Sequence, residues 1–456
     1  MNPRVFREYD IRGNGDRDLD DAFALDLGRA IGTHLKRAGS KRITLGRDCR
    51  VTSPRLYANL KMGLLSTGMN LYDVGLVATP ILYYSVFHFD SDGGVMITGS
   101  HNPPEDNGFK ILRGKSTIHG AEIQQLRVLI EKRDFETGMG LCEEREMIAP
   151  YLEMAKKRIE LGPRRFKVVV DAGNGMGGPA ATLIRSLGFE VSELYCEPDG
   201  NFPNHHPDPT VEKNVADLKK MVADTGAEVG IALDGDADRI GVVDAKGRIV
   251  WGDQLMILFA RAILKEQPGA TFVSEVKCSK ALYDEIAKAG GNAIMWKVGH
   301  SLIKEKMKET GALLAGEMSG HIFFQHRYHG FDDAIYSAAR LVELLSRGDL
   351  TLAQHVDTLP VLHNTPEIRY EISDDVKFEV VKRAVARFQK KDHGIVEVVD
   401  VDGARVLWKD GWALVRASNT QAALVLRFEA ESAKRLAELQ SWVQGEIKKI
   451  EGELNK

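Results

Sequence analysis

The chain has no run of about 18 consecutive apolar residues, the length that a membrane-spanning helix needs, so no such span is expected. Cysteine is scarce: Cys49, Cys142, Cys196 and Cys278 are the whole set, and no two lie close together. That spacing offers neither a zinc ribbon nor a redox dithiol, a disulfide framework would be unusual in a chain this long, and the four are read as free thiols. An excess of charge of one sign is missing too. With 61 Lys and Arg against 65 Asp and Glu, a formal net charge of -4, no field for nucleic acid or an anionic membrane is expected. The opening residues include Arg4, Arg7, Glu8 and Asp10 in place of the apolar core of a secretory signal, which points to the cytoplasm.

What is present is a chain of 456 residues, too long for one core and enough for three or four domains at about 150 residues each. Phe23, Leu27, Ile31 and Leu35 recur at helical spacing and predict a helix over 22–38, followed by a strand at 43–46 and a helix from Ser53, read as its N-cap, to about 67. Strand 71–74, helix 80–89 and an apolar strand ending near Ser100 continue the alternation. The pattern restarts after the charged run 143–146, with helices at 150–161, 178–187 and 215–225 and strands at 166–171, 190–194 and 229–233. It restarts again near Trp251, with strands at 271–276 and 293–296 and helices at 280–289 and 301–309. Such alternation predicts α/β domains with mixed, mostly parallel sheets. From about Asn364 the order changes to strand, helix, a strand-rich meander over 396–428 and a last helix over 432–450, an α+β arrangement. The expected division is 1–145, 146–249, 250–362 and 363–456.

Four stretches stand out. Thr98-Gly-Ser-His-Asn-Pro-Pro-Glu-Asp-Asn-Gly-Phe-Lys110 follows the apolar run 94–97, a strand breaking into a stiff loop that holds Ser100 at its tip. Taken alone, such a Ser-His pair before prolines is a turn more often than a site. Asp234-Gly-Asp-Ala-Asp-Arg239 places three carboxylates at alternate positions directly after an apolar strand. If the backbone is locally extended, alternate side chains converge, and a hard divalent cation is the simplest relief of their repulsion. An EF-hand needs glycine at the sixth position and glutamate at the twelfth; Arg239 and Ala245 stand there, and magnesium fits better. Gly316-Glu-Met-Ser-Gly-His321 offers an acceptor, a hydroxyl and an imidazole suited to a sugar, or equally an ordinary turn. Arg416-Ala-Ser-Asn-Thr420 combines a guanidinium fork with small donors, a recipe for a phosphate cradle or a polar turn.

Two further patterns compete. Asp171-Ala-Gly-Asn-Gly-Met-Gly-Gly178 matches G-x-G-x-x-G after a strand, with Glu193 near the place of a ribose-binding acid, and is the sole support for a dinucleotide-dependent oxidoreductase. Asn204-His-His-Pro-Asp208 suggests zinc only weakly, because adjacent histidines diverge, and reads as a structural loop.

Together with the opening Phe6-Arg-Glu-Tyr-Asp-Ile-Arg-Gly13, the four stretches in this order resemble the α-D-phosphohexomutase superfamily, in its bacterial phosphomannomutase/phosphoglucomutase group, over essentially the whole chain. The resemblance implies a heart-shaped, four-domain enzyme with a central cleft. It implies that Ser100 is a phosphoserine and that Asp234, Asp236 and Asp238 bind Mg2+, the phosphoserine supplying a further oxygen. Glu317 and Ser319, with His321 nearby, would read sugar hydroxyls. Arg416, Ser418, Asn419 and Thr420 would clamp the non-reacting phosphate. Arg239, Tyr9, Arg12, His101, Lys110, Lys277 and His300 would line the cleft, with Lys110 and Arg239 as cations for transfer. The implied activity is reversible phosphoryl transfer between C1 and C6 of mannose or glucose phosphates through a hexose 1,6-bisphosphate, in a monomer or weak dimer with neither nucleic acid nor membrane as partner. Gln421 and Ala422 depart from the acid and proline that commonly follow the phosphate loop, and Ala334 stands where a glycine is frequent. A phosphoglucosamine mutase is the nearest alternative, opposed by Glu8-Tyr-Asp10 in the opening and by Met318 where that group resembles glutamine.

Overall fold

The computed structural model describes residues 1–418 and 422–454. Among them run four sheets, each formed by its own stretch of chain. The first orders its strands Ile11–Asn14, Asp106–Arg113, Gly93–Ile97, Arg42–Arg47, Asn70–Leu76 and Cys142–Glu144. The last four of these are parallel, and Asp106–Arg113 runs against them. The second places Lys167–Asp171 between parallel neighbours Glu190–Leu194 and Val229–Leu233, with Ile240–Asp244 antiparallel beyond. The third pairs Thr271–Glu275 in parallel with Asn292–Trp296 and Leu314–Gly316, then closes with antiparallel Ile322–Phe324. The fourth is antiparallel throughout, covered by helices Asp374–Phe388 and Ala433–Leu454.

The parallel strands read as apolar runs because helices cover both faces; Gly93–Ile97 and Val229–Leu233 are buried at every residue. Each of the four stretches singled out in sequence leads into a strand that pairs antiparallel with the strand before it. The last paired residues before them are Ile97 with Phe109, Leu233 with Ile240, Gly316 with Ile322, and Ala417 with Leu424. The antiparallel partner Asp106–Arg113 and the helix Ala121–Lys132 escape the sequence reading, the former because its first residues are polar. Ser53 is the first residue of helix Ser53–Ser66 rather than its cap, and its hydroxyl turns back to Asp48 at 2.5 Å. Ala334 opens helix Ala334–Ser346 behind an Asp333 cap that accepts from the Tyr336 amide.

One apolar cluster joins the first three sheets. Tyr83 packs edge-on against Phe331 at 5.6 Å, and Tyr84 against Tyr151 at 5.8 Å. The fourth sheet keeps a separate core on its helix side, with Ala413, Val415, Leu424, Leu426 and Phe428. Period-two alternation turns Trp412, Leu414, Arg416, Arg427 and Glu429 to its other face, where Trp412 and Leu414 meet Val276 of the third sheet.

Candidate active site

Ser100 takes a left-handed backbone (φ 49°), uncommon for a residue with a side chain. Its amide donates to Thr98 Oγ1 (2.8 Å), and the buried Arg50 guanidinium clasps the loop from behind. Arg50 donates to the carbonyls of Ser100 (2.6 Å), Asn102 (2.6 Å), Pro103 (2.5 Å) and Asp106 (2.8 Å). Asp48 fixes the same corner, accepting from the amides of Arg50 (3.0 Å) and Gly99 (3.3 Å). Neither residue was a sequence candidate. The available signal was the polar run Arg47-Asp-Cys-Arg50 straight after a buried strand. Arg12 donates to Asn102 Oδ1 (2.8 Å) and pairs with Asp10 (2.7 Å), so it sits beside the same loop. His101 bonds Asp208 through Nδ1 (3.1 Å); burial, helped by the positive charge of Arg239, holds its imidazole down to about 3 and hence neutral.

The Ser100 hydroxyl donates to Asp234 Oδ2 at 2.8 Å. The three aspartates converge, though not by extended backbone. Asp234 Oδ1 accepts from the amides of Asp238 (3.0 Å) and Arg239 (3.1 Å), closing a tight turn in which Ala237 is left-handed (φ 61°). The turn comes so near the serine loop that a Cβ on Gly235 would lie 2.3 Å from the Ser100 carbonyl oxygen. All three carboxylates are fully buried and offer oxygens within 4.8 Å of one another. Burial and its two neighbours raise the proton affinity of Asp234 well above an ordinary carboxylate. Burial also opposes charge on Asp236, but the ammonium of Lys110 at 2.7 Å outweighs it and pulls that group down. Lys110 pairs with Asp238 as well. Asp236 Oδ1 and Asp238 Oδ1 have no hydrogen-bond partner among the described residues. Unsatisfied hard oxygens in a buried, self-repelling trio fit a divalent cation of the magnesium type.

Arg239 donates from Nε to His321 Nε2 (2.9 Å), and His321 Nδ1 faces Asp332 (3.1 Å). His321 is thus turned inward, linking the metal loop to Asp332. Asp332 in turn holds Lys304 (3.1 Å) and lies 3.8 Å from His300, whose protonation burial and Lys304 suppress. Glu317 spans the sugar loop: Oε1 accepts from the Gly299 amide (2.8 Å) and Oε2 from the Ser319 hydroxyl (3.2 Å). The motif therefore presents Glu317 and Ser319 together and sends His321 elsewhere, because Gly320 (φ 95°) turns the chain between them. Tyr9 reaches across from the first sheet and donates to the Val298 carbonyl at 2.9 Å.

On the far wall Lys277 pairs with Glu367 (3.3 Å), and Arg416 Nε donates to Asp402 (3.1 Å). Ser418 is buried, its amide donating to the Ala423 carbonyl (2.9 Å). Asn419 and Thr420 lie outside the described residues. Asp332, Lys304, Glu367 and Asp402 were invisible in sequence, since each stands apart from the motifs and is brought in by the fold, while Asp208 ends the 204–208 stretch that reads as a structural loop.

The glycine loop 171–178 opens onto protein. A Cβ on Gly175 would lie 2.6 Å from the Gly235 carbonyl oxygen, and the Met176 amide donates to that oxygen (2.9 Å). Its glycines let two backbones meet behind the aspartates, and Glu193 pairs with Arg185. His205 bonds Asp171 (3.0 Å), and His206 lies 2.5 Å from the His101 carbonyl, so this pair buttresses the serine loop.

Four family models match the chain in order: phosphoglucomutase/phosphomannomutase alpha/beta/alpha domains I, II and III at 3–137, 149–247 and 251–362, and the C-terminal domain at 367–443. The chain is 45% identical over 451 residues to the phosphomannomutase/phosphoglucomutase of Pseudomonas putida, covering 99% of this chain and 96% of that one. It is 43% identical over 441 residues to the phosphoglucomutase of Neisseria gonorrhoeae, with 96% and 95% covered. The crystal structure of a phosphoglucomutase/phosphomannomutase family protein from Burkholderia thailandensis superposes with a TM-score of 0.93 at 40% identity, covering 99% of this chain and 98% of that one.

Proposed function

Because the chain belongs to the phosphoglucomutase/phosphomannomutase family, we propose that it interconverts the 1- and 6-phosphates of mannose and glucose through a phosphorylated Ser100. The observation that carries this reading is the Ser100 hydroxyl, buried and 2.8 Å from a carboxylate of the aspartate trio. A nucleophile held on a left-handed turn by Arg50 keeps one direction of attack, which is most of what phosphoryl transfer asks of a protein. Asp234, Asp236 and Asp238 would hold Mg2+, which when bound supplies positive charge beside the transferring group.

The rest falls to this chain's own side chains. The O–P bond at Ser100 breaks as the free hydroxyl of the bound sugar phosphate bonds to phosphorus, giving a hexose 1,6-bisphosphate. His300, kept neutral by burial, takes the proton that hydroxyl loses, while Lys110 and Arg239 face the developing charge. Glu317 and Ser319 hold the ring by its hydroxyls. Arg416, Lys277, Ser418, Asn419 and Thr420 bind the phosphate that is not reacting, with Tyr9, Arg12 and His101 lining the approach and His321 orienting Arg239. Since the clamp is set apart from the serine loop, the bisphosphate can turn over and return its other phosphoryl group to Ser100. The four domains proposed are 1–145, 146–249, 250–362 and 363–456.

Assays with mannose 1-phosphate, glucose 1-phosphate and glucosamine 1-phosphate, each with catalytic bisphosphate and Mg2+, test the reading. Turnover of the first two is expected; a strong preference for the amino sugar would replace it with a phosphoglucosamine mutase.

A further inference from the structure

Val298 is gripped by both of its backbone groups from two other parts of the molecule. Its carbonyl accepts from Tyr9 Oη (2.9 Å), and its amide donates to Asp402 Oδ2 (3.0 Å). The same Asp402 oxygen accepts from Arg416 Nε (3.1 Å). Nothing in the sequence motifs points to Asp402, which lies in the turn between strands Glu397–Val399 and Ala404–Trp408.

The turn is built to press on Arg416. Gly403 is left-handed (φ 89°), and a Cβ there would lie 2.4 Å from the Val415 carbonyl oxygen and 2.8 Å from Arg416 Cα. Only glycine lets the turn lie flat against that strand. The opposite end is equally close: a Cβ on Gly299 would lie 2.7 Å from Tyr9 Cζ, and the Gly299 amide is bound by Glu317 of the sugar loop. A chain of polar contacts therefore runs from Tyr9 through the Val298 backbone to Asp402 and Arg416, crossing from the first sheet through the third to the fourth.

We infer that Asp402 is a positioning residue: it aims the Arg416 guanidinium at the substrate's non-reacting phosphate and ties the phosphate-binding sheet to the Val298 backbone held by Tyr9. The inference rests on the mutase reading above. A carboxylate on Nε fixes the plane of the guanidinium, and with it the direction of the nitrogens that meet phosphate. The negative charge also balances a buried cation while no phosphate is bound. Asp402 touches neither the reacting oxygen nor the transferred phosphorus, so its loss should act mainly on capture of the sugar phosphate.

The test compares the single variants Asp402→Ala and Asp402→Asn with the parent chain in the mannose 1-phosphate and glucose 1-phosphate assays, alongside melting temperatures and a cycle formed by Tyr9→Phe and Tyr9→Phe/Asp402→Asn. Asp402→Ala is expected to raise KM roughly tenfold with kcat changed less than about threefold. Asp402→Asn, which keeps an acceptor for Val298 but loses the charge on Arg416, should recover part of the loss. The double variant should depart from the product of its single effects, because both side chains hold the backbone of one residue. A KM within twofold of the parent in both single variants would overturn the inference, as would a lowered melting temperature with unchanged KM. A parent chain that turns over neither sugar would overturn the mutase reading and the inference with it.

Discussion

The half of the molecule around Ser100 and the half around Arg416 are assembled differently. Near Ser100, three sheets share one apolar cluster, and the serine loop, the aspartate turn and the glycine loop meet backbone to backbone at Gly235 and Gly175. Near Arg416, the fourth sheet has its own core and meets the third through Val276, Trp412 and Leu414 and through charged hydrogen bonds. Arg405 donates to the carbonyls of Val276 (2.6 Å) and Cys278 (2.7 Å), and Glu429 accepts from the Lys280 amide (2.9 Å). A core shared across sheets resists relative movement, whereas an interface that mixes a separate apolar cluster with polar contacts permits more of it. On the proposed function, chemistry that needs fixed geometry falls to the fused half, and recognition that must tolerate two substrate orientations falls to the separable sheet.

Substitutions can break this contrast at several strengths. The largest effect is expected from Ser100→Ala, which removes the acceptor of the phosphoryl group and should lower kcat by at least about 10^4-fold with little change in sugar-phosphate affinity. Steady-state kinetics and equilibrium binding check both halves of that statement. Gly235→Ala comes next. Its methyl would force apart the serine loop and the aspartate turn, and a loss of about 10^2-fold is expected in kcat rather than in KM, since misplacement of reacting groups falls on the chemical step. If the loss appeared in KM alone, the fused half would not be the chemical half.

Arg416→Lys probes the other side. A lysine cannot offer a planar fork, so KM should rise about 10- to 100-fold while kcat falls far less. An equal fall in kcat would place the clamp within the chemical step and erase the distinction.

The smallest effect is on stability against pH. Burial holds His101 down to about 3 and His326 and His329 down to about 4, against an ordinary value of 6.5. Below that value the unfolded chain takes up protons that the folded chain refuses, so stability present above 6.5 is lost as the pH falls toward 4. Asp333, which burial raises to about 6, works in the opposite sense, its contribution being present in acid and lost as the pH rises through 6. Asp234, raised by burial and its neighbouring carboxylates, shares the sense of Asp333, and His300, kept neutral by burial, shares that of the other imidazoles; four imidazoles stand against two carboxyls, all in the fused half. Urea midpoints should therefore be lower at pH 5 than at pH 7, and a midpoint that rose at pH 5 would contradict the assignment.

Parallel strands buried on both faces were legible in sequence because they are apolar throughout, and 229–233 lies where that pattern places it. The polar start of Asp106–Arg113 hid the antiparallel partner that turns the serine loop into a hairpin. At the site, residues adjacent in sequence were readable as motifs: Ser100, the three aspartates, Glu317 and Ser319 do come together. Their reason for converging was not readable, since Asp234 closes a turn in which Ala237 adopts a backbone that alternation does not anticipate. Arg50 grips the Ser100 carbonyl 50 residues on, Asp402 accepts from the Val298 amide 104 residues back, and Asp332 meets His321, Lys304 and His300 on other elements, contacts that no local spacing encodes.

The central claim is that Ser100 carries the phosphoryl group. Intact-mass measurement of the purified chain after incubation with glucose 1,6-bisphosphate and Mg2+, and again after addition of excess mannose 6-phosphate, tests it directly. A gain of one phosphoryl mass is expected, localised to Ser100, discharged onto the sugar and absent from Ser100→Ala. A chain that never gains that mass, or a Ser100→Ala variant that gains it equally, would contradict it.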